Sequence, residues 1–249
     1  MMIFAAALAL VSATPCLAAE IPPAISAAIA DSARPAADTA RDAQRKPAEV
    51  LAYAGIKPGM QVAELFPGGG YFTRLLSVTT GSGGHIYALT PLPGADGKDR
   101  SAAAKAIAAD THYGNVTALP LDYGSQALGL PQQVDVVWTS DNYHDMINAL
   151  AAMSDIDLPA ALRHVYQSLK PGGVFIVIDH ASTPGRGSDD SKTLHRIDPE
   201  TVKAQITAAG FQFAGNSDIL HNPDDPHTAK VFDPAIQGKT DQFILKFTK

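Results

Sequence analysis

Cysteine is nearly absent from this sequence of 249 residues, in which Cys16 is the single example. One cysteine excludes an internal disulfide framework and any zinc or iron–sulfur site built from cysteine thiolates. Positive charge is also in short supply, since 19 lysines and arginines face 25 aspartates and glutamates, a net charge of −6. Because a basic surface is what holds a phosphate backbone, we predict no nucleic acid partner.

Long hydrophobic runs are missing too, and the apolar run at the start, Ile3 to Val11, is far shorter than the roughly 20 residues that span a bilayer. Small residues follow it, ending in Ala18 and Ala19. This order is typical of a secretory signal peptide, and a buried N-terminal helix is the alternative. We predict a signal peptide over 1–19 with cleavage near Ala19, a periplasmic or secreted protein, and no stable membrane anchor after cleavage.

Alanine is abundant in the next segment, which prolines interrupt, so a helical lead-in is predicted over 20–46 and a single domain over 47–249. Within that domain, apolar runs of strand length alternate with helix-length segments, which predicts an α/β fold with a parallel sheet. The last two runs have no helix between them and predict an antiparallel pair at the sheet edge. The predicted strands are Gln61–Phe66, His85–Leu89, Asn115–Leu121, Val134–Thr139, Gly173–Asp179, Phe211–Ile219 and Asp241–Phe247. The predicted helices are Pro47–Ala54, Tyr71–Thr79, Ser101–Thr111, Leu158–Leu169 and Pro199–Ala209.

A glycine loop joins the first strand to its helix in the stretch VAELFPGGGYFTRLL, from Val62 to Leu76. Glycines let backbone N–H groups approach a ligand closely, and the helix N-terminus adds partial positive charge. Ligands of open α/β sheets collect at the carboxyl ends of the strands, where Glu64, Gly68 and Gly70 are expected. A purely structural tight turn is the alternative.

Histidines and carboxylates follow the fourth and fifth strands, in Asp141-Asn142-Tyr143-His144-Asp145 and Asp179-His180, and His195 follows in the next loop. A histidine pKa near about 6.5 suits proton removal from an acceptor, so His144 is the candidate general base, with Asp141, His180 and His195 beside it. The alternative is a polar turn in which Asp141 or Asn142 caps the next helix. No two of these histidines have the spacing of helical zinc ligands, so no metal is expected, although a divalent metal remains an alternative.

These motifs together resemble the class I S-adenosylmethionine-dependent methyltransferases, and more closely a group of bacterial predicted methyltransferases with a signal peptide. The resemblance covers roughly residues 45–249 and includes Leu169-Lys170-Pro171-Gly172-Gly173 and Thr193-Leu194-His195-Arg196-Ile197-Asp198. It implies a Rossmann-like, doubly wound sheet of seven mostly parallel strands in the order 3-2-1-4-5-7-6, with the last strand antiparallel. S-Adenosylmethionine is the cofactor that it implies.

The resemblance also implies roles for single residues. Glu64 matches the acidic residue that holds the methionine ammonium group, and Asp122 matches the carboxylate that faces the adenine amino group. Phe66 stands where the family has a glycine, and Thr90 stands near the place of its ribose-binding carboxylate, so cofactor binding is expected to be weakened. The cofactor-binding set is Glu64, Phe66, Gly68, Gly69, Gly70, Thr90, Asp122 and Asp141.

Two functions are consistent with the sequence. The first is methyl transfer to an oxygen or nitrogen of a small molecule, with His144 as general base. The second is an exported methyltransferase-fold protein that does not use S-adenosylmethionine and performs histidine-based acid/base chemistry of lyase or hydrolase type, or only binds a ligand. A signal peptide favours the second, because it separates the protein from a cytoplasmic cofactor. The acceptor and the oligomeric state are not encoded in any motif that we recognise.

Overall fold

The architecture is taken from a computed structural model, which describes residues 20–92 and 98–249. The predicted signal peptide, residues 1–19, and residues 93–97 lie outside the described residues.

Seven strands form one sheet in the order β3-β2-β1-β4-β5-β7-β6. β7 pairs antiparallel with both β5 and β6, and the other pairings are parallel. The predicted α/β fold, strand order and antiparallel last strand are therefore confirmed. The strands are β1 Gln61–Leu65, β2 His85–Pro91, β3 Val116–Leu121, β4 Val134–Ser140, β5 Leu169–His180, β6 Gln212–Ser217 and β7 Gln242–Thr248.

Helices connect and cover the strands: α1 Pro23–Ile29, α2 Ala36–Thr39, α3 Asp42–Arg45, α4 Pro47–Ala54, α5 Tyr71–Thr80, α6 Ala102–Ala109, α7 Tyr143–Leu150, α8 Leu158–Ser168 and α9 Pro199–Ala208. α4 has Pro47 in its first turn and Gly55, with φ 79°, as its C-cap, which agrees with the sequence interpretation. α7 carries His144 and lies between the predicted helices Ser101–Thr111 and Leu158–Leu169. It is therefore an addition to the set of predicted helices. None of the helices in the described ranges is long and apolar enough to cross a membrane.

Alternate residues of the central strands pack on opposite faces of the sheet. Ala63 and Leu65 belong to a core with α7, α8 and α9, whereas Val62 belongs to a core with α1, α4, α5 and α6. Strands buried on both faces read as continuous apolar runs, which is why the sequence pattern identifies them. The polar Glu64 therefore stands out inside an apolar layer.

The parallel register brings three chemically rich segments to one edge. Leu65 of β1 pairs with Thr139 of β4, and Ser140 pairs with Ile178 of β5. The glycine loop, the start of α7 and the end of β5 consequently meet at the carboxyl edge of the sheet, where α/β folds bind ligands.

Candidate active site

A buried carboxylate orients His144. Nδ1 of His144 lies 2.8 Å from Oδ1 of Asp179, and the backbone N–H of His144 donates to Oδ2 of the same carboxylate at 2.8 Å. His144 is 2% exposed and Asp179 is fully buried. A carboxylate on Nδ1 fixes the proton on that nitrogen and leaves Nε2 as the proton acceptor.

The charge of Asp179 also sets the basicity of His144. Burial disfavours the protonated ring, but the Asp179 carboxylate outweighs burial, and the pKa of His144 lies above its ordinary value. A histidine whose pKa is raised in this way can accept and hold a proton near neutral pH.

His180 and His195 both lie close to His144. The ring centroid of His180 is 6.3 Å from that of His144, and the centroid of His195 is 5.2 Å away. Nδ1 of His180 contacts the Thr240 hydroxyl at 2.8 Å, and burial lowers the pKa of His180, which favours a neutral ring. His195 has a left-handed backbone, φ 56°, and its Nδ1 lies 3.2 Å from Nε2 of His144. The structure therefore brings together the three histidines that the sequence singled out.

Asp141 does not cap a helix; it joins three parts of the chain. Its backbone is left-handed, φ 61°, and its carboxylate accepts from Arg45 at 2.6 Å and from the Gln242 side-chain amide at 2.5 Å. Burial raises the pKa of Asp141, but Arg45, His180 and Arg41 outweigh it, and the pKa lies below its ordinary value. Asn142 stands at the N-cap position of α7, as the capping alternative expects, but its side chain makes no capping hydrogen bond.

Asp141, His144 and His180 line a pocket of about 480 Å³, a volume typical of small-molecule sites. Its walls come from the segment before α4, from α7 and β5, and from the loop between β6 and β7. Polar lining residues include Arg41, Arg45, Asp141, His144, Asp145, His180, His221, Lys239, Thr240 and Gln242. His195 stands just behind this wall, against Phe232, at a centroid distance of 4.9 Å.

The glycine loop borders a second cavity of about 210 Å³, which shares Arg41, Arg45 and Asp141 with the larger pocket. Gly68 and Gly70 have φ values of 56° and 81°, which glycine adopts without strain. A Cβ atom at Gly70 would also lie 2.1 Å from Cδ1 of Ile107, so the Ile107 side chain would have to move to admit a larger residue.

Phe66 adopts a left-handed conformation, φ 55°, without being a glycine. Phe66 lines the smaller cavity, and its ring tilts against Tyr123 at a centroid distance of 6.2 Å. The residue that stands where the family has a glycine therefore borders this cavity.

Glu64 lies in the wall of the smaller cavity and is almost completely buried. Its Oε2 accepts a hydrogen bond from the Thr73 hydroxyl at 2.5 Å. Burial raises the pKa of Glu64 to about 7, although Thr73, Arg45 and Arg74 favour the ionised form. A carboxyl group whose pKa lies near neutrality can ionise and pair with the ammonium group of a bound ligand.

The segment before α4 covers the glycine loop through charged contacts with α5. Arg74 donates to Asp38 at 2.7 Å, and the Tyr71 hydroxyl donates to Asp42 at 2.6 Å. Guanidinium groups lie over the Tyr71 ring, with that of Arg45 4.9 Å from the ring centroid. Sequence reasoning did not identify Arg45, because an arginine in an alanine-rich lead-in gives no local sign of a partner 96 residues away.

Two predicted cofactor residues lie outside both cavities. The Thr90 hydroxyl donates to the Leu119 carbonyl at 3.2 Å, and Asp122 accepts from the backbone of Gly124 and the hydroxyl of Ser125. Both side chains are engaged with neighbouring chain segments. Neither is among the residues that line the pocket or the cavity.

A buried ion pair anchors the loop that closes the pocket. Arg196 forms two contacts with Asp225, at 2.8 and 3.1 Å, and both side chains are fully buried. Asp225 also accepts from the backbone N–H of Asp241, next to Gln242 in the pocket wall. The motif around His195 thus contains a structural arginine, which its sequence alone does not distinguish from a catalytic one.

Comparison with known proteins by sequence gives no match to any family model and no match among curated proteins. Comparison with solved structures gives clear likenesses. A SAM-dependent methyltransferase from Aquifex aeolicus aligns with a TM-score of 0.55 and 16% identity, over 80% of this chain and 87% of that one.

Two further likenesses show the range of proteins with this architecture. Fibrillarin from Aeropyrum pernix, solved with natively bound S-adenosyl-L-methionine, has a TM-score of 0.52 and 16% identity over 83% of this chain and 76% of its own. The [4+2]-cyclase SpnF has a TM-score of 0.54 and 17% identity over 88% and 84%. The strand order and these likenesses agree, and the chain has the Rossmann-like fold of the S-adenosylmethionine-dependent methyltransferases.

Proposed function

We propose that this protein transfers the methyl group of S-adenosylmethionine to an oxygen or nitrogen atom of a small molecule, with His144 as general base. One observation carries the proposal: a histidine held by a buried carboxylate lines a pocket of about 480 Å³, and Arg41, Arg45 and Asp141 border both this pocket and the cavity at the glycine loop. A proton acceptor therefore stands beside the place where this fold binds its cofactor.

The cofactor's methionine part is assigned to the glycine loop. Glu64 would pair with the ammonium group, and the backbone of Gly68, Gly69 and Gly70 would approach the cofactor at the N-terminus of α5. Thr90 and Asp122 bind nearby chain segments, and Phe66 borders the cavity where the family has a glycine, so we expect weaker binding than a full set of carboxylates provides.

S-Adenosylmethionine, when bound, would supply an electrophilic methyl group for in-line displacement by the acceptor atom, with the neutral thioether as leaving group. Nε2 of His144 would take the acceptor's proton. Because the sulfonium is already reactive, positioning of the two reactants contributes most of the acceleration.

Calorimetric titration of the purified protein with S-adenosylmethionine tests this function. We expect one molecule bound per chain at micromolar affinity, and Glu64→Gln should weaken binding because it cannot supply the negative charge. Absence of binding at millimolar cofactor would rule the proposal out.

A second function is favoured by the engaged Thr90 and Asp122 and by the predicted signal peptide. In this case the protein is periplasmic or secreted, does not use S-adenosylmethionine, and performs acid/base chemistry with His144, His180 and His195, or only binds a ligand. Cell fractionation separates the two functions: a periplasmic protein without cofactor affinity supports the second, and a cytoplasmic protein that binds the cofactor excludes it.

A further inference from the structure

Three potential metal ligands converge beside the larger pocket. Nε2 of His144 lies 3.2 Å from Nδ1 of His195, and Oδ1 of Asp145 lies 3.4 and 3.5 Å from these two nitrogens. Within the described ranges this is the one cluster of histidine, cysteine or carboxylate side chains close enough to share an ion. Both contacts of Asp145 are longer than a good hydrogen bond, for which about 2.7–3.2 Å is usual.

The triangle has the dimensions of a zinc site. Zinc binds imidazole nitrogen and carboxylate oxygen at about 2.0–2.2 Å in tetrahedral geometry, which puts neighbouring ligand atoms about 3.3–3.5 Å apart. The three observed edges fall at or close to that range. Two imidazoles and one carboxylate also form a donor set that catalytic zinc sites use.

A further carboxylate supports one of these ligands from behind. Asp179 holds Nδ1 of His144 and is itself fixed by the backbone N–H groups of His144 and His180, each at 2.8 Å. Ligating histidines almost always have such a partner on the other ring nitrogen, because it fixes the tautomer and aims the ligand nitrogen. His144 thus presents Nε2 to the cluster in the form that a metal requires.

We propose that His144, Asp145 and His195 bind a divalent transition metal ion, with zinc as the preferred occupant. Three protein ligands leave a fourth tetrahedral position, and His144 and Asp145 both line the larger pocket. An oxygen donor from that pocket, either water or a hydroxyl or carboxylate of a small molecule, completes the coordination. The site goes beyond the expectation from sequence, because its three ligands come from one helix and a distant loop and show no recognisable spacing.

Zinc and the acceptor's proton would compete for the same lone pair on Nε2 of His144. The metal-loaded protein therefore lacks the free base of the proposed methyl transfer, and zinc should inhibit that reaction. A metal-activated water would instead serve the hydrolase-type chemistry of the second function.

Calorimetry of the full chain, stripped with a chelator and titrated with Zn²⁺ alone, tests the site. We expect one ion per chain at micromolar affinity or tighter, and a loss of affinity of at least about tenfold in His195→Ala and in Asp145→Asn. The matched control is His221→Ala, since His221 lines the same pocket but contacts Asp241 at 2.9 Å, and zinc binding should not change. Asp145 and His195 are partly exposed, so these variants should fold, which circular dichroism checks.

Two results would overturn the proposal: no zinc bound at about 100 μM, or unchanged affinity in both ligand variants. The titration contains no S-adenosylmethionine and no acceptor. A failure to bind zinc therefore leaves the methyl-transfer proposal standing, and a failure to bind the cofactor leaves the metal site standing.

Discussion

His144 and Asp179 are bound to each other twice, because one carboxylate accepts both the ring Nδ1–H and the backbone N–H of the histidine, each at 2.8 Å. The first contact fixes the tautomer, and the second fixes the start of α7 against the end of β5. The orientation of the base is therefore a property of the sheet edge itself rather than of a mobile loop.

Asp179→Asn should preserve the shape of this pair and remove its charge. The amide no longer stabilises a proton on Nδ1 or an imidazolium, so we expect kcat to fall by about 10²–10⁴-fold with little change in KM. Nitrogen NMR should show the proton of His144 moving from Nδ1 to Nε2. Asp135→Asn is the control, since Asp135 pairs with Lys170 on the opposite strand ends; an equal loss of kcat in both variants would contradict the account.

Glu64→Gln should change how the free energy of unfolding depends on pH. Burial raises the pKa of Glu64 from 4.5 to about 7, so between these values the folded protein retains a proton that the unfolded chain has released. The stabilisation from this group is complete below pH 4.5 and is lost as the pH rises through 7. Glutamine cannot ionise, so the variant should gain about 3 kcal/mol relative to the original protein between pH 4 and pH 8. Urea unfolding across this range measures the difference in free energy of unfolding between the variant and the original protein. A difference that is the same at every pH would contradict the prediction.

Phe66→Gly should strengthen S-adenosylmethionine binding by about three- to tenfold, because glycine tolerates a φ of 55° and removes the side chain that borders the cavity of about 210 Å³. Phe66→Leu keeps an apolar side chain in the same strained conformation and serves as the control. Equal affinities in the two variants would show that the ring does not restrict the cofactor.

Arg196→Met should destabilise the protein by about 3–5 kcal/mol, since it leaves the buried Asp225 carboxylate without its cation. Arg186→Met is the matched control: Arg186 is half exposed and pairs with Asp190 at 2.9 Å, so a much smaller loss is expected there. Chemical denaturation measures both. Similar losses would mean that the Arg196 pair does not anchor the loop.

The sequence predicts the sheet well because strands buried on both faces form continuous apolar runs, separated by loops of different composition. It also predicts that Glu64, the glycine loop, His144 and His180 meet at one edge, which follows from parallel pairing. It does not predict the ion pair between Arg45 and Asp141 or the hydrogen bond between Asp179 and His144. Both contacts join segments that are far apart in the sequence, and they depend on the tertiary packing at the sheet edge. Thr90 and Asp122 occupy the expected strand ends, but their side chains bind nearby chain segments. The sequence pattern does not predict these side-chain conformations.

A crystal structure of the protein with S-adenosylmethionine would show directly where the cofactor binds. We expect the methionine part against Glu64 and Gly68–Gly70, with the methyl group directed into the pocket lined by His144 and His180. Density for the cofactor elsewhere, or none at millimolar concentration, would contradict this expectation.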